Sequence, residues 1–332
     1  MTDPELIERA RDAHSLQIWP DGSLRHLLTL SGLGETRMTE LLDLAERFTA
    51  SADGFPARSD ALAGRTVANL FFEPSTRTRA SFELAAKRLS ADVLNLDVNM
   101  SSRIKGESIL DTIYTLQAMQ CDVFVVRDAS AGVPALIAEH VEPQVAILNA
   151  GEADFAHPTQ GLLDALTIRQ AKGDIRGLTV TIVGDVAHSR VARSASEALV
   201  TLGVGELRLV APPALAPSQD DYPGAVITDS LAQGLTGADV VMALRIQRER
   251  IAGEPELPSG DDYRRDYGIT AESLQLARPD AVVMHPGPMN RGIEIDGDIA
   301  DGPRSLITRQ VANGVAVRMA VLTTILANRS RQ

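Results

Sequence analysis

The chain has 332 residues, 44% of them hydrophobic and 23% charged, which is typical of a globular protein and long enough for two domains. Its 32 basic and 44 acidic residues give a formal net charge of −12, which argues against a surface for nucleic acid or anionic membranes. The polar N-terminus is unlike a secretory signal, and no window holds the roughly 18 uninterrupted apolar residues of a membrane span. The single cysteine, Cys121, excludes an intrachain disulfide. The cytoplasm is therefore the expected location.

Short β-branched runs alternate with helical patterns along the chain and fall into two series. The first series lies at 67–72, 93–96, 123–126 and 145–148, and the second at 179–185, 207–210, 239–244 and 281–284. Such alternation is typical of parallel sheets covered by helices on both faces. The predicted fold class is therefore α/β, with two doubly wound parallel-sheet domains in tandem.

A helical pattern at 159–172, ending at Gly173, marks the predicted junction between the domains. We expect an N-terminal extension at 1–25, a first domain at 26–158, a second at 159–304, and a C-terminal helix at 305–332 that returns to the first domain. The charged, Gly- and Pro-rich segment 246–268 has no clear period, and we interpret it as a loop that is a lid, a binding loop or disordered.

The stretch FFEPSTRTRASFE, residues 71–83, places hydroxyls and arginines where a strand gives way to a helix. Free backbone N–H groups and the helix dipole favour an anion there, and Arg77 can add a bidentate fork for phosphate oxygens. The simpler alternative is ordinary helix capping by Ser75 or Thr76. A cap does not need an arginine flanked by hydroxyls, so we predict a phosphate site.

This stretch closely resembles the carbamoyl-phosphate signature of the aspartate and ornithine carbamoyltransferases, and the resemblance continues from about residue 26 along nearly the whole chain. It implies that Ser75, Thr76, Arg77 and Thr78 hold the phosphate of carbamoyl phosphate, with Thr78 also near the carbonyl oxygen.

Further resemblance extends the site of the first domain. The run SSRIKGES, 101–108, looks like the family's loop that enters the active site of a neighbouring subunit. The resemblance implies that Ser101 and Lys105 contact the ligand bound to that neighbour. Without the resemblance, such a run indicates only an exposed loop. The resemblance assigns Arg127 to carbamoyl phosphate, His157 to its carbonyl and Gln160 to its amide. Without it, Arg127 could be a surface ion pair and His157 structural.

The second domain is expected to bind the other substrate. The segment GDVAHSRVARS, 184–194, lacks the three-glycine fingerprint of dinucleotide-binding proteins, so we expect no nucleotide cofactor. We also expect no metal ion. By resemblance Arg190 and Arg245 bind the two carboxylates of L-aspartate and Gln247 assists, whereas His188 and Arg193 are structural.

The run HPGPMNRG, 285–292, separates the two branches of the family. The aspartate enzymes carry His-Pro-x-Pro here, and the ornithine enzymes His-Cys-Leu-Pro. Gly287 and Pro288 are expected to face the ligands through backbone groups. A plain Pro-Gly-Pro turn is the alternative.

The resemblance thus implies transfer of a carbamoyl group from carbamoyl phosphate to L-aspartate, in pyrimidine biosynthesis. Expected catalytic residues are Thr78, Lys105, Arg127 and His157, and the expected assembly is a homotrimer with shared active sites. A larger assembly with a dihydroorotase-like or regulatory subunit stays open. The alternatives are a transferase for ornithine or an acylated ornithine, and a catalytically silent subunit, although the latter should have lost Arg77, Lys105 or His157.

Overall fold

The computed structural model describes residues 3–49, 58–96, 108–247 and 257–327. The chain divides into two compact units. Unit 1 consists of Met1–Leu162 and Asn313–Gln332, and unit 2 of Leu163–Ala312. Each unit is built on one parallel sheet with helices around it, which confirms the predicted fold class.

The sheet of unit 1 has four parallel strands in the order β2-β1-β3-β4. The strands are β1 Thr66–Phe71, β2 Asp92–Leu96, β3 Val123–Asp128 and β4 Ala146–Glu152. Every residue of β3 and β4 is buried, as expected for the central strand β3, which is covered on both faces; β4 is the last strand in this order. In the described part of this unit the helices are α1 Pro4–Asp12, α2 Gly34–Thr49, α3 Thr76–Arg88, α4 Ile109–Ala118 and α5 Val133–His140, followed by α6 Pro158–Lys172, within which unit 2 begins.

The N-terminal segment packs into unit 1. Leu6 of α1 lies against the core cluster of this unit, and Arg9 forms an ion pair with Glu139 of α5. Further on, the backbone of Leu27 bonds to Ile147 and Asn149 at 2.9 Å each and so adds a short parallel bridge beside β4. This segment covers the free edge of the sheet.

The sheet of unit 2 has five parallel strands in the order β7-β6-β5-β8-β9. They are β5 Thr179–Val183, β6 Glu206–Val210, β7 Val226–Thr228, β8 Val240–Ala243 and β9 Val282–Met284. The remaining helices are α7 Arg190–Thr201, α8 Leu231–Leu235, α9 Gly260–Tyr267, α10 Gly297–Ala300 and α11 Ile307–Ala327.

Two elements of unit 2 differ from the sequence predictions. Strand β7 has three residues, none fully buried, and is too short and too exposed to give a pattern. Helix α9 lies inside the segment that we interpreted as a loop. Its sequence GDDYRRDY buries only Tyr263, so it carries no apolar stripe, and its start is marked only by Ser259, whose side chain accepts from the Asp262 N–H.

The C-terminal helix α11 returns to unit 1, as predicted, because its residues from Asn313 onward belong to that unit. The guanidinium of Arg318 stacks over the ring of Phe82 in α3 at 4.8 Å. By length and hydropathy α11 could cross a membrane, but 72% of its most apolar window is buried inside the protein, as in a core helix.

The strand orders locate where ligands are expected. In an open parallel sheet, a crevice forms at the carboxyl ends of the two neighbouring strands from which the connections leave in opposite directions. In unit 1 these strands are β1 and β3, and in unit 2 they are β5 and β8.

Candidate active site

The predicted phosphate-binding turn directly follows β1. Ser75 occupies the position before α3, and its side chain makes no capping hydrogen bond, so the capping alternative does not account for this hydroxyl. The first helical hydrogen bond of α3 runs from Arg79 N to Ser75 O at 3.3 Å, so the backbone N–H groups of Thr76, Arg77 and Thr78 precede it. Thr76 and Arg77 are exposed, whereas Thr78 is buried. The start of α3 thus offers backbone N–H groups, hydroxyls and a guanidinium at one edge.

Arg127 lies near the carboxyl end of β3, the strand beside β1. Its side chain is 9% exposed, with Nη2 at 3.0 Å from Glu73 Oε2 and Nη1 donating to Ala150 O at 3.1 Å. Its carbonyl accepts the Phe72 N–H at 2.8 Å. Arg127 is therefore a positioned, nearly buried cation that forms an ion pair with Glu73, beside the turn that begins there.

His157 follows β4 and directly precedes α6. Its carbonyl accepts the Gln160 N–H at 2.9 Å, and both side chains are largely buried. Since β1, β3 and β4 are neighbouring parallel strands, the segments that follow them meet at one edge of the sheet. The predicted residues Ser75 to Thr78, Arg127, His157 and Gln160 thus share that edge.

In unit 2 a buried carboxylate joins the segments that follow β5 and β8. Asp185 is fully buried; its Oδ1 lies 2.8 Å from His188 Nδ1, and its Oδ2 accepts the Gln247 N–H at 2.9 Å. Gln247 Nε2 also donates to His188 O at 3.1 Å. The predicted Gln247 is therefore fixed at the switch point of the sheet, beside the pair of Asp185 and His188.

The two predicted carboxylate-binding arginines flank the same switch point. Arg190 is the first residue of α7, directly after the capping Ser189, and is 5% exposed. Arg245 follows β8 and is half-buried, with Nη1 donating to Ile246 O at 3.2 Å. Arg193 Nη1 lies 3.3 Å from Asp221 Oδ1.

The loop after β9, the neighbour of β8, carries Gly287 and Pro288, joined by a cis peptide bond. Gly287 has φ +66 and is half-buried, and Pro288 is exposed. The loop is held from inside: the Gly287 N–H donates to His285 Nδ1 at 2.8 Å, and His285 Nε2 lies 3.2 Å from Glu294 Oε1.

Two buried groups of this site escaped the sequence analysis. Asp185 and Glu294 are acidic residues beside motifs that drew attention to arginines and prolines, and nothing in the spacing shows what they bond. A third, Tyr263, sits on the unpredicted helix α9. Burial raises the pKa of Tyr263, and the carboxylates of Glu294 and Asp185 raise it further, so its phenol stays neutral.

Two predicted residues, Ser101 and Lys105, lie outside the described part of the chain. Among the described residues, no cluster of three or more His, Cys, Asp or Glu side chains could hold a metal ion.

The two halves of the chain match two models of one family. Residues 25–170 match the model described as the carbamoyl-P binding domain of aspartate/ornithine carbamoyltransferase, and residues 176–325 match its Asp/Orn binding domain. The chain belongs to the aspartate/ornithine carbamoyltransferase family. The residues predicted to bind carbamoyl phosphate fall within the first match, and those predicted to bind the amino acid within the second.

Solved structures from both branches of the carbamoyltransferase family are similar to this chain. Aspartate transcarbamoylase from Trypanosoma cruzi, in complex with N-(phosphonacetyl)-L-aspartic acid, is 32% identical with a TM-score of 0.80, over 93% of this chain and 98% of that one. The same enzyme with carbamoyl aspartate and phosphate is 33% identical with a TM-score of 0.79, over 91% and 95%. Ornithine carbamoyltransferase from Thermus thermophilus is 28% identical with a TM-score of 0.80, over 91% and 98%.

Proposed function

We propose that this carbamoyltransferase uses L-aspartate as the acceptor and forms N-carbamoyl-L-aspartate and phosphate. The observation that carries the choice of acceptor is the pair of arginines, Arg190 and Arg245, after the two strands that flank the switch point of unit 2. A dicarboxylate needs a paired cation for each carboxylate that leaves water, whereas the cationic side chain of ornithine would be repelled there.

The loop after β9 supports the same choice. This chain has Gly287 where the ornithine enzymes are expected to carry a leucine, and Pro286 in place of their cysteine. The loop therefore presents backbone groups rather than a thiol. In the complexes of the Trypanosoma cruzi enzyme, the bound molecules are aspartate, carbamoyl phosphate and their analogues, which is the ligand set that the proposal requires here.

Phosphate binding falls to the start of α3, where Ser75, Thr76, Arg77 and Thr78 offer hydroxyls, a guanidinium and backbone N–H groups. The carbamoyl carbonyl faces Thr78, Arg127 and His157. These donors stabilise the negative charge that develops on the carbonyl oxygen, and one such donor is typically worth about 10²-fold or more in rate.

The reaction then needs no covalent enzyme intermediate. The unprotonated α-amine of L-aspartate attacks the carbamoyl carbon, a C–N bond forms, and the C–O bond to phosphorus-bound oxygen breaks. The departing phosphate takes the electron pair and then the proton that the amine loses. Catalysis consists of positioning and of fixed electrostatics.

The proposed enzyme is a homotrimer located in the cytoplasm. Ser101 and Lys105 act from a neighbouring subunit of a homotrimer, and the enzyme serves pyrimidine biosynthesis in the cytoplasm. Mixing two inactive variants, Lys105→Ala and His157→Ala, should restore part of the activity, because some sites then combine an intact Lys105 with an intact His157. No recovery would contradict shared sites.

The acceptor is tested with purified protein, carbamoyl phosphate and either L-aspartate or L-ornithine, with phosphate release as the readout. Turnover with L-aspartate alone is expected. Turnover with L-ornithine alone would overturn the proposed acceptor while leaving the family intact, and turnover with neither would indicate a catalytically silent member.

A further inference from the structure

A buried histidine underlies the loop that carries Gly287 and Pro288. The side chain of His285 is 1% exposed and bonds at both ring nitrogens. Nδ1 lies 2.8 Å from the backbone nitrogen of Gly287, and Nε2 lies 3.2 Å from Glu294 Oε1. The same carboxylate oxygen accepts the Asn290 N–H at 2.5 Å. One ring thus connects the start of the loop to its far end.

The direction of these hydrogen bonds follows from the donors. A backbone N–H can only donate, so Nδ1 of His285 must present its lone pair to Gly287. The ring is therefore neutral, with its proton on Nε2, and the contact with Glu294 is a hydrogen bond from Nε2–H to a carboxylate. A ring protonated on both nitrogens would lose the bond to Gly287.

The rest of the network fixes the ring in unit 2. The backbone nitrogen of His285 donates to Gln310 Oε1 at 2.9 Å, and Gln310 Nε2 donates to Asp164 Oδ1 at 2.8 Å. The carbonyl of Glu294 accepts the Ile269 N–H at 3.0 Å. All four polar side chains are 2% exposed or less. Buried networks in which the members bond one another hold a single geometry, and here that geometry reaches the half-buried Gly287.

The hydrogen bond from Gly287 N–H to His285 fixes the orientation of one peptide group in the loop. Because the peptide between Pro286 and Gly287 is planar and trans, turning its N–H inward to His285 directs the Pro286 carbonyl to the opposite side. The ring therefore decides which backbone group of the loop stays available to a ligand.

We propose that His285, held in its Nε2–H form by Glu294, is a positioning residue that sets the backbone of the Gly287-Pro288 loop for the amino-acid substrate. This role rests on the proposed function, since it needs that loop to contact the acceptor. His285 itself touches no substrate. Its effect is expected in the KM for the acceptor more than in the KM for carbamoyl phosphate.

Paired variants of Glu294 test the role. Glu294→Gln keeps an oxygen that can accept from both His285 and Asn290, whereas Glu294→Ala leaves both donors without it. We expect Glu294→Ala to raise the KM for L-aspartate about 10-fold or more, with the KM for carbamoyl phosphate within about 3-fold, and Glu294→Gln to stay within about 3-fold for both. Equal damage by both variants would mean that the carboxylate charge matters, and would overturn the neutral-ring assignment.

Paired variants of His285 separate its two bonds. The Oδ1 of Asn can replace Nδ1 as acceptor for Gly287, whereas the amide of Gln can replace Nε2–H. His285→Asn should therefore keep a lower KM for L-aspartate than His285→Gln. Leu274→Ala, in the core cluster of the same unit, is the stability control, and it should leave both KM values unchanged. A KM for L-aspartate that tracks only stability across all variants would contradict a positioning role.

A measurement on the wild type keeps the inference testable if these variants do not fold. Long-range ¹⁵N–¹H NMR of histidine-labelled protein near neutral pH should show the ring of His285 protonated on Nε2 alone, and protonation of Nδ1 would refute the assignment. Wild-type turnover with neither amino acid would refute the proposed function and this role with it. An active wild type whose acceptor KM is unchanged in Glu294→Ala would refute the role alone.

Discussion

Replacing Gly184 with alanine tests whether the contact between the segments after β5 and β8 controls the acceptor site. Gly184 has φ +136, and a Cβ placed on it would lie 2.2 Å from the Leu244 carbonyl oxygen, about 1.2 Å short of the 3.4 Å at which ordinary contact begins. Leu244 precedes Arg245, and its N–H donates to Val183 O at 2.7 Å. The segment that carries Arg245 must therefore move by about 1 Å.

A displacement of about 1 Å at a substrate-positioning residue can cost about 10²-fold in rate. We expect Gly184→Ala to lower kcat/KM for L-aspartate by about that factor while the KM for carbamoyl phosphate changes little. The strained backbone adds about 1–3 kcal/mol of lost stability, measurable by urea unfolding.

Gly224→Ala is the matched control for Gly184→Ala. Gly224 also has a positive φ, +82, but a Cβ there meets nothing within 4 Å, and the residue precedes β7 at the amino end of that strand. This variant should lose about 1–2 kcal/mol of stability and keep its kinetics. If Gly184→Ala kept wild-type kinetics as well, the steric reasoning for the acceptor site would be wrong.

Three further predictions concern contacts that stabilise one of the two units. Gly132→Ala would place a Cβ 1.9 Å from the Leu6 carbonyl oxygen and should therefore displace α1. The variant should lose at least about 2 kcal/mol of unfolding free energy in urea and expose the N-terminal segment to trypsin. An unchanged urea midpoint would contradict the close packing of α1. Glu73→Ala removes a partner of the nearly buried Arg127 and should cost about 1–3 kcal/mol and raise the KM for carbamoyl phosphate, with Glu73→Gln in between. The ammonium of Lys172 holds the pKa of Asp280 below its ordinary 3.8. This pair therefore stabilises the fold above pH 3.8, and its contribution disappears as the pH falls through the lowered pKa. The urea midpoints of wild type and Asp280→Asn should differ at pH 7 and converge once the pH is below that lowered pKa.

The sequence was sufficient to predict most of the fold because its central strands, such as β1, β3, β5 and β8, are almost entirely buried. A central strand such as β3 is an apolar run that ends in Arg127 and Asp128, and the segments that carry Ser75 and His157 come after β1 and β4. Helix α9 was missed because a short charged helix with one buried residue leaves no periodic pattern.

The supporting groups of the site could not be predicted for a different reason. Asp185 and Gln247 are 62 positions apart, and their bond exists only because β5 and β8 are neighbours in the sheet. Likewise, the proton position on His285 depends on a backbone N–H two residues away and on Glu294. Sequence motifs predict which side chains meet a ligand, whereas strand order decides which buried groups hold them.

In the proposed reaction, unit 1 binds the phosphate end and unit 2 binds the dicarboxylate end of the joined substrates. Hydrogen exchange with and without N-(phosphonacetyl)-L-aspartic acid, which carries both ends, tests it directly. Backbone amides at the start of α3 in unit 1, and also at 185–190 and Gly287 in unit 2, should be protected. Protection in only one unit, or in neither at saturating concentration, would contradict it.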